Sequence, residues 1–83
     1  MDLYPCSPGH VLVVPVTHVE SLYELSAAAQ AAMWRMAAKV RARLKAEFHP
    51  SGFNIGVNDG RSAGQTVMHA HIHIIPRYER DVK

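Results

Sequence analysis

Three of the six histidines in this chain fall in one short run, His69-Ala70-His71-Ile72-His73. Imidazole can serve near neutral pH as a nucleophile, a proton carrier or a metal ligand. In an extended strand alternate side chains share a face, so the three rings would stand in a row with neighbours about 6.6–7 Å apart. Met68, Ala70, Ile72 and Ile74 would turn the other way. Three chemistries fit such a row. The histidines could be separately hydrated surface groups. They could bind zinc, with His10 among the further ligands, since His-x-His on a strand is a good ligand pair. Or they could floor a site in which a neutral imidazole attacks phosphorus. The upstream segment Gly60-Arg61-Ser62-Ala63-Gly64-Gln65-Thr66 favours the third. Its small residues let backbone N–H groups approach an anion, and Gln65 and Thr66 add neutral donors. None of these is a good zinc ligand.

The rest of the sequence must position that row. Residues 1–10, with Pro5 and the Pro8-Gly9 pair, read as a turn-rich lead. A short β-branched strand follows over 10–14, closed by Pro15 and expected to be buried on both faces or nearly so. Ser21 and Glu24 have the spacing of a capping box. Ser26 is a good N-cap for an alanine-rich helix ending near Glu47. Leu25, Ala29, Met33, Met36, Val40 and Leu44 make its apolar stripe, with Arg35, Lys39, Arg41 and Lys45 on the solvated side. His49-Pro50-Ser51-Gly52 stops it. Phe53, Ile55 and Val57 alternate with Asn54, Gly56 and Asn58 in a half-buried strand over 52–58. A loop over 59–65 leads to a last strand over 67–75, stopped by Pro76. The order strand, helix, strand, strand predicts an α+β domain covering 1–83, with one main helix on one face of a thin, three-stranded antiparallel sheet. The histidines would occupy the face without a helix.

Composition sets the limits. At 83 residues the chain is one domain at most, small enough that help from a partner subunit is expected. A formal charge of +2 is mild and argues against a nucleic-acid-binding domain. The single cysteine, Cys6, permits no intrachain disulfide and reads as a buried or loop thiol. No apolar run is long enough to span a membrane, and no secretory leader is visible, so a cytoplasmic protein with no membrane partner is expected. His18 and His49 read as surface or capping residues, and Trp34 as a core or subunit-interface residue.

Taken together, four ordered motifs resemble the histidine triad family. His69-Ala-His-Ile-His-Ile-Ile75 matches its signature of alternating histidine and apolar residues. Gly64-Gln-Thr-Val-Met68 resembles the segment that precedes the signature. Pro8-Gly-His-Val-Leu-Val-Val-Pro15 with His18, and Gly52-Phe-Asn-Ile-Gly-Val-Asn58-Asp-Gly60, resemble two earlier strands. The match runs over residues 2–78. It is most similar to the branches of diadenosine polyphosphate hydrolases, fragile-histidine-triad-like proteins and nucleoside phosphoramidases. His73 argues against the uridylyltransferase branch.

The resemblance implies a nucleotide hydrolase or transferase acting at an α-phosphate through a nucleotidyl-histidine intermediate. His71 is then the nucleophile, flanked by His69 and His73, with His10 closing the site. Gln65 and Thr66 bind phosphate beside Gly64. Asn58 lies near phosphate and ribose, Asp2 on the ribose hydroxyls, and Leu3 against the base. It implies a homodimer, a nucleotide substrate, no tightly bound cofactor and no catalytic metal, although Mg²⁺ is compatible as companion of a polyphosphate. Relatives usually carry a further segment before the Asp2 position and a glycine at that of Arg80, so a short nucleoside wall is expected here. The alternatives are a catalytically weak nucleotide-binding module or a zinc-binding domain.

Overall fold

The computed structural model describes residues 2–7 and 9–79. Pro8 of the Pro-Gly-His motif and Arg80 lie outside them. The elements are β1 (Asp2–Ser7), β2 (His10–Val14), α1 (Ala27–Phe48), β3 (Gly52–Gly56) and β4 (Ile72–Arg77), with short 3₁₀ turns at Leu22–Glu24 and Arg61–Ala63. The sheet is antiparallel throughout and has four strands in the order β1-β2-β4-β3.

The turn-rich lead expected at the N-terminus is a strand, so the sheet has one strand more than expected. Pro5 is tolerated because β1 is an edge strand, where a missing N–H breaks no central ladder. The register shifts between Pro5 and Ser7, just before the turn into β2. Gly9 makes that turn with φ +80°, and a Cβ there would lie 2.8 Å from the Pro76 side chain, so backbone and ring demand glycine together.

The helix follows its sequence signals. The Ser26 hydroxyl accepts from Ala29 N–H at 3.1 Å. His49 caps the other end in the left-handed region, at φ 53°, with its N–H donating to Lys45 C=O. The capping box also forms, Glu24 Oε2 accepting from Ser21 N–H at 2.9 Å. Met33, Ala37, Val40 and Leu44 are buried against Val13, Ile72 and Ile74 of the sheet, with Leu22 and Ala70 completing the core. The Arg41 guanidinium lies over the Phe53 ring, 5.2 Å from its centroid, and bridges helix and edge strand.

The last two strands are shorter than expected or shifted. β3 ends at Gly56, and β4 covers Ile72–Arg77 instead of 67–75. Residues 67–71 leave the ladder because their bonds go elsewhere: Ala70 N–H donates to Val19 C=O at 2.7 Å. Pro76 does not stop β4. The β2 ladder ends at the Val11–Ile74 pair, so Pro76 faces only β3, opposite Phe53. Phe53 and Val57 pack on the core as expected, but Ile55, on an edge strand, stays 39 % exposed.

Ile74 and Ile55 are register partners with very different burial. Ile74→Ala should cost about 2–5 kcal/mol of unfolding free energy, as large-to-small core substitutions do. Ile55→Ala should cost less than about half as much, since less surface leaves water. Urea unfolding of both variants beside wild type measures the difference.

Candidate active site

β4 is two-faced. Ile72 and Ile74 are wholly buried toward α1, while His73 and Ile75 are half-buried on the opposite face. His71, one residue before the strand, keeps the alternation, with Ala70 and Ile72 buried on either side. Register sets Leu12 of β2 and Gly56 of β3 beside His73, and Asn54 beside Ile75. The result is a cleft of about 580 Å³ on the helix-free face. His10, Asn58, Gly64, Thr66, His71 and His73 of the expected site line it, and Gln65 forms part of its wall.

The tautomer of His71 follows from its surroundings. Its Nδ1 lies 2.9 Å from the His69 carbonyl oxygen. A carbonyl only accepts, so Nδ1 carries the hydrogen. In the neutral form of the ring the lone pair then sits on Nε2. His69 is set by the same logic: its Nε2 donates to Pro15 C=O at 3.0 Å, and its Nδ1 meets His18 Nδ1 at 3.1 Å. Its ring stands edge-on to His18, with centroids 4.4 Å apart, outside the polar cleft. The three histidines keep the expected alternation, with Ala70 and Ile72 buried between them, and His71 in the middle lines a hollow with each neighbour. His71 and His73 share the cleft, whereas His69 orients the backbone behind them.

A second hollow, about 300 Å³ and mainly apolar, opens on the other side of His71 between Leu12, Val14, Val67 and His69. Asp2 is in register with Val14. Leu3 is in register with Val13 and lines a groove with Val11, Val40, Arg43 and Leu44 on the helix side. The expected contact of Leu3 with a base is thereby overturned, because one step along a strand changes the face.

Gln65 corrects a second expectation. It is 5 % exposed, and its side chain is fully engaged within the protein. Oε1 accepts from Gly60 N–H at 2.8 Å, and Nε2 donates to Glu20 C=O at 2.8 Å and Val67 C=O at 3.0 Å. The Gly64 and Gln65 N–H groups donate to Arg61 C=O and Gly60 C=O. These groups hold the loop and do not offer themselves to an anion. Gly64, at φ +93°, lets Asn58 approach: a Cβ there would sit 3.0 Å from Asn58 Nδ2. Side-chain donors lining the cleft include His10, Asn54, Asn58, Thr66, His73 and Arg77. His10 Nε2 is buried with no hydrogen-bond partner among the described residues. Among the described residues, no group of three or more His, Cys, Asp or Glu is arranged to hold a metal.

Burial pushes the His73 pKa below its ordinary 6.5, and the neighbouring His71 and His10 push in the same direction. Sequence reasoning read His18 as a surface or capping residue and gave Asn54 and Arg77 no role in the site. Continuing the alternation two steps past His73, through Pro76, would have found Arg77 on the cleft face. Nothing local could have found His18, whose partner is 51 residues away.

A family model described as HIT domain matches residues 1–80. The Bacillus subtilis protein named Protein hit is 40% identical over 78 residues, covering 94% of this chain and 54% of its own. The bis(5'-nucleosyl)-tetraphosphatase (asymmetrical) of Schizosaccharomyces pombe is 42% identical over 81 residues, 98% of this chain and 44% of that protein. The crystal structure of the Caenorhabditis elegans NitFhit protein superposes with a TM-score of 0.86 at 43% identity, over 99% of this chain and 20% of that one. The chain spans about half the length of the curated relatives it matches.

Two outcomes follow from the hydrogen bonds and charges of the site. Gln65→Leu strands the Gly60 N–H and two carbonyls, so it should destabilise the fold by roughly 1–3 kcal/mol, read by denaturant unfolding. Because the folded pKa of His73 is depressed, the unfolded chain binds the extra proton first as pH falls. Stability from this residue is complete above pH 6.5 and is lost below it, down through the folded pKa. His73→Asn should flatten that part of the stability–pH curve.

Proposed function

The chain belongs to the HIT-domain, or histidine triad, family, and on that premise we propose that it is a nucleotide hydrolase or transferase that attacks an α-phosphate through His71. The observation that carries the proposal is the bond from His71 Nδ1 to the His69 carbonyl, which leaves Nε2 as the nucleophile between two hollows of opposite character. The apolar hollow of Leu12, Val14 and Val67 suits the flat faces of a nucleoside, and Asp2, whose backbone pairs with Val14, is assigned to the ribose hydroxyls on the family resemblance. The polar cleft suits phosphates.

In the first step the Nε2 lone pair forms a bond to the α-phosphorus, and the bond from phosphorus to the leaving group breaks with its electron pair going to that group. The imidazole ring gains positive charge as it attacks, and the His69 carbonyl, already accepting from Nδ1, stabilises it. Charge on the equatorial oxygens falls to donors from Asn58, Thr66, His10 and His73. In the second step water attacks the same phosphorus and gives up a proton to solvent, and the Nε2–P bond breaks with its electron pair returning to Nε2. A nucleoside monophosphate is released, and His71 returns to the neutral tautomer. The depressed pKa of His73 keeps a second cation away from the ring as it charges.

A homodimer belongs to the same proposal, with Trp34, 45 % exposed on α1, as an apolar anchor between copies. So does a cytoplasmic site of action. Among the described residues no helix is long and apolar enough to cross a membrane.

The test is a product assay with dinucleoside polyphosphates and nucleoside phosphoramidates, wild type beside His71→Ala. Wild type should release nucleoside monophosphate and show a protein mass increase of one nucleotidyl group under single-turnover quench. His71→Ala should show no adduct and lose on the order of 10³-fold or more of kcat/KM. Undiminished turnover in that variant would remove His71 from the chemistry.

A further inference from the structure

The connection over residues 15–20 is tied to residues 65–70 by hydrogen bonds. Pro15 C=O accepts from His69 Nε2 at 3.0 Å, Val19 C=O from Ala70 N–H at 2.7 Å, and Glu20 C=O from Gln65 Nε2 at 2.8 Å. The remaining tie joins two side chains. His18 Nδ1 lies 3.1 Å from His69 Nδ1, with the rings edge-on at 69°. Its polarity follows from the Pro15 bond. His69 Nε2 gives its hydrogen to Pro15, so in the neutral ring Nδ1 has only a lone pair to offer. The hydrogen between the rings then belongs to His18 Nδ1, and the lone pair of His18 sits on Nε2. A free imidazole in water prefers the opposite tautomer, so the exposed His18 is held in its form by its neighbour. His18 lines neither the polar cleft nor the apolar hollow. Any part it plays passes through His69.

The peptide group between His69 and Ala70 links these ties to the nucleophile. Its N–H donates to Val19 C=O, and its C=O accepts from His71 Nδ1 at 2.9 Å. The unit is planar, so rotating it releases both bonds together. Bonds in such a chain also polarise one another. Val19 holds this unit by the main chain, and the adjacent residue His18 holds the same segment by the His69 ring. We propose that His18 is a positioning residue for the nucleophile: its Nδ1–H anchors the His69 ring and so fixes the peptide whose oxygen decides the tautomer of His71. The kinetic part of this inference rests on the nucleotidyl-transfer reading given above. The tautomers are properties of the protein without substrate.

The experiment has a spectroscopic readout and a kinetic one. Nitrogen NMR of the labelled imidazole rings shows which nitrogen of each ring holds hydrogen. It is recorded well above the ordinary histidine pKa of about 6.5, with chelator present. Wild type should show His18 and His71 protonated at Nδ1 and His69 at Nε2. His18→Leu keeps bulk and loses the donor, whereas His18→Asn keeps an N–H close to the place of Nδ1. Neither change touches the buried core. In His18→Leu the His71 signal should move toward a mixture of tautomers. The single-turnover rate of adduct formation from a dinucleoside polyphosphate should fall about tenfold, the scale of one hydrogen bond. His18→Asn should restore most of both. The proposal is overturned if wild-type His18 is protonated at Nε2, if the His71 signal is unmoved in His18→Leu, or if the Leu and Asn variants behave alike. If the tautomer change and its rescue are seen but wild type forms no adduct, the nucleotidyl-transfer reading fails and the positioning of His71 by His18 stands.

Discussion

A backbone carbonyl offers lone pairs and no proton. At the centre of this site one such oxygen, that of His69, lies 2.9 Å from His71 Nδ1 and removes the ambiguity of an imidazole ring. With Nδ1 protonated, Nε2 is the nitrogen with a lone pair. The carbonyl direction depends on residues 67–71 leaving the sheet ladder. That path is held by Ala70 N–H on Val19 C=O and by the His69 ring on Pro15 C=O. Gln65 holds the loop just upstream with three bonds of its own. Chemistry at one nitrogen thus rests on a set of main-chain acceptors that a side-chain inventory overlooks.

The two faces of β4 divide the work. Burying Ile72 and Ile74 against Met33, Ala37, Val40 and Leu44 fixes the strand in depth and rotation. A slip of one residue would drive His73 into the core and lift both isoleucines into water. The core therefore supplies register as well as stability. Because the β2 ladder ends at the Val11–Ile74 pair while β3 pairs on to Arg77, the strand can carry Pro76 and extend the cleft floor beyond the histidines.

Charge in the cleft is graded. His73 is biased toward its neutral form by burial and by the two neighbouring histidines, and the fixed positive charge stands at the far end. A His73 biased toward neutrality limits positive charge beside His71, while the fixed charge of Arg77 favours anions at the far end of the floor. The apolar hollow on the opposite side of His71 gives this axis a direction.

The sequence by itself determined the helix with its Ser26 cap and His49 stop, the capping box at Ser21, the side of β4 that faces the core, and the meeting of His10, Asn58, Thr66, His71 and His73 at one site. These features are written in local spacing, in capping chemistry and in family motifs. Tertiary structure decided what local pattern could not. Pro5 and Pro76 sit within strands because each lies where no neighbouring strand requires its N–H. His69 is turned from the polar cleft because Pro15 C=O and His18 hold its ring. Gln65 turns from prospective ligand donor to loop clamp because Glu20, distant in sequence, accepts its hydrogen. Leu3 falls on the helix side because register with Val13 puts it there. Each of these outcomes depends on hydrogen-bond partners brought together through space, and alternation along a single strand carries no record of them.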